Sequence, residues 1–241
     1  MEALDPAKGA ILLVDKPVTW TSFNVVAKLR GALRKLSGHR VKVGHAGTLD
    51  PLASGLLILG TGTMTKRLPE LTGQDKVYTA TMRLGAVTAS YDAETPIEDA
   101  APWEHISEAA IRDVLAGFRG DIQQRPPNFS AKRFQGERGY KLSRWGEPVE
   151  MVHVAVRIDR LELVAVNGPE ITLDVACSKG TYIRSLAHDI GQALGCGAYL
   201  SGLRRTRSGD FDIADARTPA QWSEWLDQWA STRQSADIQQ T

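Results

Sequence analysis

Cysteine is scarce. Cys177 and Cys196 are the only two in 241 residues, too few for a disulfide framework and in no short-spaced metal pattern. That scarcity fits a reducing compartment, so the cytoplasm is the expected location. No apolar run approaches the ~20 residues of a membrane span, and Met1 to Gly9 lacks the basic-then-apolar layout of a signal peptide. Asn128-Phe129-Ser130 matches a glycosylation sequon, but without secretion the match reads as chance. No cluster of residues has metal-ligand spacing, and no repeat period marks a solenoid or propeller. Net charge is also nearly absent, at +1, so bulk charge alone does not point to nucleic acid.

What is present is an ordinary globular composition, 42% hydrophobic and 24% charged, long enough for one large domain or two small ones. The charge is unevenly placed. Lys28 to His45 carries Lys28, Arg30, Arg34, Lys35, Arg40 and Lys42 with no acid. Arg119 to Arg144 is a second basic segment, and Arg204, Arg205 and Arg207 form a third, while acids gather at Asp92 to Asp113 and after Asp210. Three basic segments could build one phosphate-binding face. They could equally be three unrelated solvated surfaces.

Hydrophobic periodicity outlines the elements. Ala10 to Val14 reads as a buried strand. Ser22 is placed to cap a helix to about Leu36, with Val25, Val26, Leu29, Leu33 and Leu36 at helical spacing. Gly38 to Gly55 reads as a loop of sharp turns, Leu56 to Leu59 as a short strand, and Met64 to Leu71 as a brief helix interrupted at Pro69. Lys76 to Leu84 reads as a strand and Gly85 to His105 as an acidic loop. Ser107 caps a helix to about Ala116. Met151 to Val166 and Ile171 to Cys177 alternate as strands, and Thr181 to Leu194 forms an amphipathic helix. A last helix from about Pro219 turns a Trp-rich stripe to the core, and the tail from Ser231 reads as frayed. Directly successive strands mixed with separate helices imply an α+β fold around a mostly antiparallel sheet.

Three loops carry chemistry. Gly44 to Gly55 packs His45 and Asp50 into a glycine-rich turn, where the backbone can approach a ligand closely. A carboxylate there can act as a nucleophile, or simply shape the turn before Pro51. Lys179 to Arg184 leaves a strand and opens a helix, so its free N–H groups favour an anion and Arg184 can pair with a carboxylate. A helix cap followed by a surface arginine would look the same. Arg125 to Trp145 interleaves cations with Phe129, Phe134, Tyr140 and Trp145, which suits unpaired bases and phosphate, or packing on a core. Gly60 to Lys66 lacks the residue order of a phosphate loop.

Taken together these segments resemble the TruB family of tRNA pseudouridine synthases. The match runs through Gly9 to Pro17 with Thr21-Ser22, Gly44 to Gly55, Lys76-Val77-Tyr78, Arg125 to Ala131, Ser178 to Arg184 and Leu203-Arg204-Arg205, in the family's order, over about residues 9 to 213. The resemblance implies a catalytic domain with a mixed, mainly antiparallel sheet flanked by helices, and an RNA-gripping insertion at about 125–151. It implies that a uridine, uridine 55 of the tRNA T loop, is flipped out and isomerised without metal or redox cofactor. It makes Asp50 the nucleophile, Tyr78 the ring stacked on the target base, and Arg184 the partner of the aspartate. His45, Tyr182 and Leu203 would line the site, and Lys132, Arg133 and Arg204 would meet the RNA. The family's Ser-Ala-x-Lys reads Ser130-Ala131-Lys132-Arg133 here, exchanging a point charge for a planar fork. Residues 214–241 are expected to form only a helix and polar tail, without the RNA-binding domain that bacterial members usually append.

The expected partner is the tRNA T stem-loop, acting on a monomer, with no membrane and no guide RNA. A tRNA-folding chaperone that grips the elbow without turnover is the alternative. An unrelated hydrolase using Asp50 and His45 would leave the other segments unexplained.

Overall fold

A computed structural model describes residues 5–127, 133–134, 137–138 and 152–238, with side chains to 127 and from 152 to 232. Contacts divide the chain into two units, Met1–Gln74 with Arg204–Thr241, and Asp75–Leu203.

In the first unit, β1 (Ile11–Lys16) runs antiparallel to β3 (Ala53–Thr61), from Ile11 opposite Gly60 to Lys16 opposite Gly55. Every second residue of β1 is buried, as expected of a strand with one face on a core. Helix α1 (Ser22–Ser37) buries Val25, Val26, Leu29 and Leu33. Its cap is Thr21, not Ser22: Thr21 and Asn24 exchange side-chain and backbone bonds, and Gly38 in the left-handed region ends the helix. Ser22 turns inward instead. The expected loop at Gly38 to Gly55 contains a strand, β2 (Val43–Ala46), paired with β3 from Val43 opposite Thr61 to Ala46 opposite Ile58. The short strand expected at Leu56 to Leu59 extends over all of β3. A 3-10 turn (Gly62–Arg67) leads into α2 (Leu68–Thr72), where Pro69 sits in the first turn and needs no N–H partner. Helix α5 (Pro219–Ile238) opens on a reciprocal Thr218–Gln221 cap and continues past Ser231, where the chain was expected to fray. It packs against α1. Trp222 is buried, and its indole N–H donates to Leu13 O at 2.7 Å.

In the second unit, β4 (Lys76–Leu84), β11 (Glu170–Cys177), β10 (Val154–Asn167) and β7 (Gly120–Gln124) form an antiparallel sheet in that order. Tyr78, Ala80 and Met82 lie opposite Val175, Leu173 and Ile171, and all six are buried. Helix α4 (Ile183–Ala193) covers this face with Ile183, Leu186 and Ala187. Burying a side chain the size of Ile183 or Leu186 stabilises by about 1.5–3 kcal/mol, which fixes the strand register below the helix. The acidic stretch after Gly85 is not all loop, because β5 (Ala86–Thr88) pairs with β6 (Ile97–Ala100). Helix α3 (Glu108–Gly117) has the expected Ser107 cap. Strands β8 (Arg133–Phe134) and β9 (Glu137–Arg138) form a small pair. Strand β12 (Ala198–Ser208) is not expected from sequence; its residues to Leu203 belong to this unit and those from Arg204 to the first. It ends in a tight hairpin with β13 (Phe211–Asp212). The α+β class with mainly antiparallel sheet is as expected.

Candidate active site

Asp50 is half-buried, and the backbone around it is tied from several directions. On its N-terminal side the Ser22 hydroxyl accepts from Leu49 N at 2.9 Å and donates to Leu49 O at 3.0 Å. On its C-terminal side Ala53 N returns to Asp50 O at 3.1 Å, and Thr19 N donates to Pro51 O at 2.8 Å. Thr19 holds a positive φ of 74°, a strained value for a branched residue. The backbone path through Asp50 is thereby fixed on both sides.

Two buried cations flank this loop. Lys16, at the end of β1, directs Nζ to Pro17 O at 2.9 Å, Trp20 O at 2.6 Å and Pro51 O at 3.5 Å. Burial pushes its pKa down to about 8, the Asp50 charge pulls it up, and the Arg205 charge adds to the fall. Arg205, on β12, is 1% exposed and donates to Leu56 O at 2.7 Å and Gly47 O at 3.1 Å. His45, on β2, has its pKa lowered chiefly by burial and then by the Arg205 charge, against a hydrogen bond to the Gly47 backbone. Its Nδ1 is buried with no partner among the described residues.

The second unit holds the other expected residues. Tyr78 is buried on β4. Tyr182 caps α4, and its backbone is clamped by the Gln124 amide, which donates to Tyr182 O at 3.0 Å and accepts from Tyr182 N at 2.8 Å. Arg184 is buried in the first turn of α4, where Nη1 donates to Ser90 O at 3.2 Å and lies 3.6 Å from the Asp92 carboxylate. Asp92 is 4% exposed and accepts from Ser90 Oγ at 2.5 Å and Glu94 N at 3.0 Å. Leu203, on β12, is the last residue of this unit. Asp50 and Arg184 thus belong to different units.

Sequence reasoning missed Lys16, Arg205, Ser90 and Asp92. An acid inside an acidic segment reads as solvated, and a lone lysine or an arginine in a basic cluster reads as surface. The third basic cluster also changes character. Arg205 points inward, Arg207 lies 3.6 Å from Asp212, and Arg204 meets Asp15 with Nη1 and Nη2, at 3.1 and 2.7 Å. Lys132, the side chain of Arg133 and most of the 125–151 insertion lie outside the described residues. Among the described residues no group of three His, Cys, Asp or Glu is placed to hold a metal, and no helix is long and apolar enough to cross a membrane.

Residues 34–183 match the model of the TruB family pseudouridylate synthase N-terminal domain, and residues 184–238 that of the tRNA pseudouridylate synthase B C-terminal domain. The chain belongs to the TruB family. It is therefore an isomerase that forms pseudouridine. The tRNA pseudouridine synthase B of Phocaeicola vulgatus is 50% identical over 222 residues, 92% of this chain and 94% of that one. That of Parabacteroides distasonis is 49% identical over 226 residues, 93% and 96%. Among solved structures, a chain of an H/ACA RNP bound to a substrate RNA containing 2′-deoxyuridine is 28% identical with a TM-score of 0.69. The match covers 94% of this chain and 56% of that one, so this chain spans about half the length of that structural relative. The two TruB family matches meet between Ile183 and Arg184, inside the first turn of α4, so the arginine opens the C-terminal match.

Proposed function

We propose that this enzyme isomerises uridine 55 in the T loop of tRNA by flipping the base out and attacking the flipped nucleotide with Asp50. The backbone tied on both sides of Asp50, at Leu49, Asp50 O and Pro51, with the buried Lys16 charge acting on Asp50, is the observation that carries this reading. The tRNA substrate rests on the relatives' activity, and the T-loop position on the motif match.

Pseudouridine has the same atoms as uridine, so the reaction must break N1–C1′, turn the uracil, form C5–C1′, move a proton from C5 and return one to N1. Reaching C1′ requires the base to leave its stack, at a cost of a few kcal/mol. Tyr78 and Leu203 supply the flat and apolar surfaces that would hold it there. Asp50 then attacks C1′ or the pyrimidine ring. Attack at C1′ would stabilise positive charge developing on the sugar, as carboxylates do in glycoside hydrolysis. The role of Arg184 beside the aspartate rests on the motif match. In its own unit, Ser90 and Asp92 fix the direction of its guanidinium.

The test is incubation with unmodified tRNA transcript and mapping of pseudouridine at single-nucleotide resolution. Asp50→Ala is expected to lower turnover by on the order of 10⁴-fold or more, while tRNA affinity stays within a few-fold, because a carboxylate adds nothing to phosphate binding. Normal product from the variant would overturn the nucleophile. Tight binding with no product from the wild type would favour the chaperone.

A further inference from the structure

Ser90 and Asp92, the two residues that hold Arg184, are separated by one residue that is itself under strain. Tyr91 has a φ of 63°, in the left-handed region that bulky side chains avoid. Such a conformation persists only where its surroundings over-determine it. Here they do. Tyr91 N donates to Thr88 O at 3.2 Å, and Leu200 N donates to Tyr91 O at 2.9 Å. The Tyr91 ring lies flat on the His188 imidazole, with centroids 3.9 Å apart and planes 15° from parallel.

His188 follows Arg184 by four residues on α4, so the two side chains leave the same face one turn apart. One helix therefore grips the turn twice. The guanidinium takes the acceptors on either side of Tyr91, and the imidazole takes the ring between them. If Tyr91 relaxed to an ordinary negative φ, the Ser90 carbonyl and the Asp92 carboxylate would no longer converge on one guanidinium. We propose that Tyr91 and His188 are positioning residues for pseudouridine formation: their stack locks the strained Ser90–Asp92 turn in the shape that aims Arg184. This rests on Arg184 belonging to the active site, as proposed above. The imidazole serves as a flat ring, not as a proton carrier. Burial lowers its pKa, which keeps it neutral, and its Nδ1 is buried with no partner among the described residues.

The experiment compares wild type, His188→Ala, His188→Phe and Tyr91→Gly in single-turnover pseudouridine formation and in tRNA binding. Tyr91→Gly can adopt a positive φ without strain but also reaches the alternatives, so it probes a turn that can form with nothing to lock it. His188→Ala and Tyr91→Gly are each expected to slow the chemical step about tenfold or more, as a small misplacement near the chemistry does, with tRNA affinity changed less than about twofold. Combining the two should cost no more than either alone, because they break one device. His188→Phe should return the rate to within about threefold of wild type. An unchanged rate in His188→Ala, a loss confined to tRNA binding, or no rescue by phenylalanine would each overturn the proposal. Should His188→Ala fail to fold, Tyr91→Gly and His188→Phe decide the matter alone. Wild-type product that disappears with Asp50→Ala establishes the underlying function in the same assay. A failure there is thereby separated from a failure of the stack.

Discussion

A lysine ammonium withdrawn from water must place its protons on acceptors, and Lys16 does so on the carbonyls of Pro17, Trp20 and Pro51. The last bond reaches the residue after Asp50, so the cation fastens the Asp50 loop to the end of β1. Burial still disfavours the charge, bringing its pKa to about 8. In the unfolded chain the value returns to 10.5. Between these two pH values the unfolded chain binds the extra proton, so folding gains as pH rises. The unfolding free energy of wild type minus that of Lys16→Met should therefore climb from about pH 8 to pH 10.5, by at most about 1.4 kcal/mol per pH unit. Denaturant titrations at several pH values read this directly, and a difference flat in pH would mean that Lys16 titrates normally. The contrast with Asp50 shows what a sequence exposes at this scale. Asp50 is legible because glycine, histidine and proline crowd around it. Lys16 and Arg205 are not, since only the pairing of β1, β3 and β12 buries them.

Backbone approach between elements sets a sharper test. Gly55, at the start of β3, has a φ of 99°, and a Cβ there would lie 2.3 Å from Arg205 O and 2.8 Å from Arg205 N. Those atoms are backbone and cannot move aside. Gly55→Ala is expected to destabilise the protein by about 3 kcal/mol and to impair turnover, since β3 begins three residues after Asp50. Gly31 lies inside α1 with nothing within 4 Å of an added Cβ. Gly31→Ala should instead stabilise by about 0.5–1 kcal/mol. Thermal melts of the two variants should move in opposite directions, and similar shifts would contradict the close approach at β3. The same long-range dependence explains where the elements were legible. Helix α1 shows through its spacing of Val25, Val26, Leu29 and Leu33, and β4 and β11 through strict alternation. Which of two adjacent hydroxyls caps α1 is decided by Leu49, 27 residues away, because it claims Ser22. Strand β2, four residues long, hides in the glycine-rich segment Gly38 to Gly55. Strand β12 hides because its buried and half-buried residues do not alternate, with Arg205 buried where an apolar side chain would be expected.

At the scale of the whole molecule, a net charge of +1 predicts little attraction for a polyanion, yet no acid occurs between Lys16 and Leu49. Screening limits each exposed charge to neighbours within about 8–10 Å at moderate salt, so RNA senses local arrangement and not the sum. Lys28, Arg34 and Lys35 on α1, followed by Arg40 and Lys42, are all exposed, while Glu98 and Asp99 are exposed on β6. Arg34→Gln with Lys35→Gln is expected to weaken tRNA binding and to flatten its salt dependence by about one in the log–log slope for each phosphate no longer neutralised. Adding Glu98→Gln and Asp99→Asn restores the net charge to that of the wild type but places the compensation on another element. If arrangement governs, the fourfold variant binds tRNA as weakly as the double variant, with the same flattened slope. Recovery of wild-type affinity in the fourfold variant would instead make the total charge decisive and leave the acid-free stretch without a part in holding RNA.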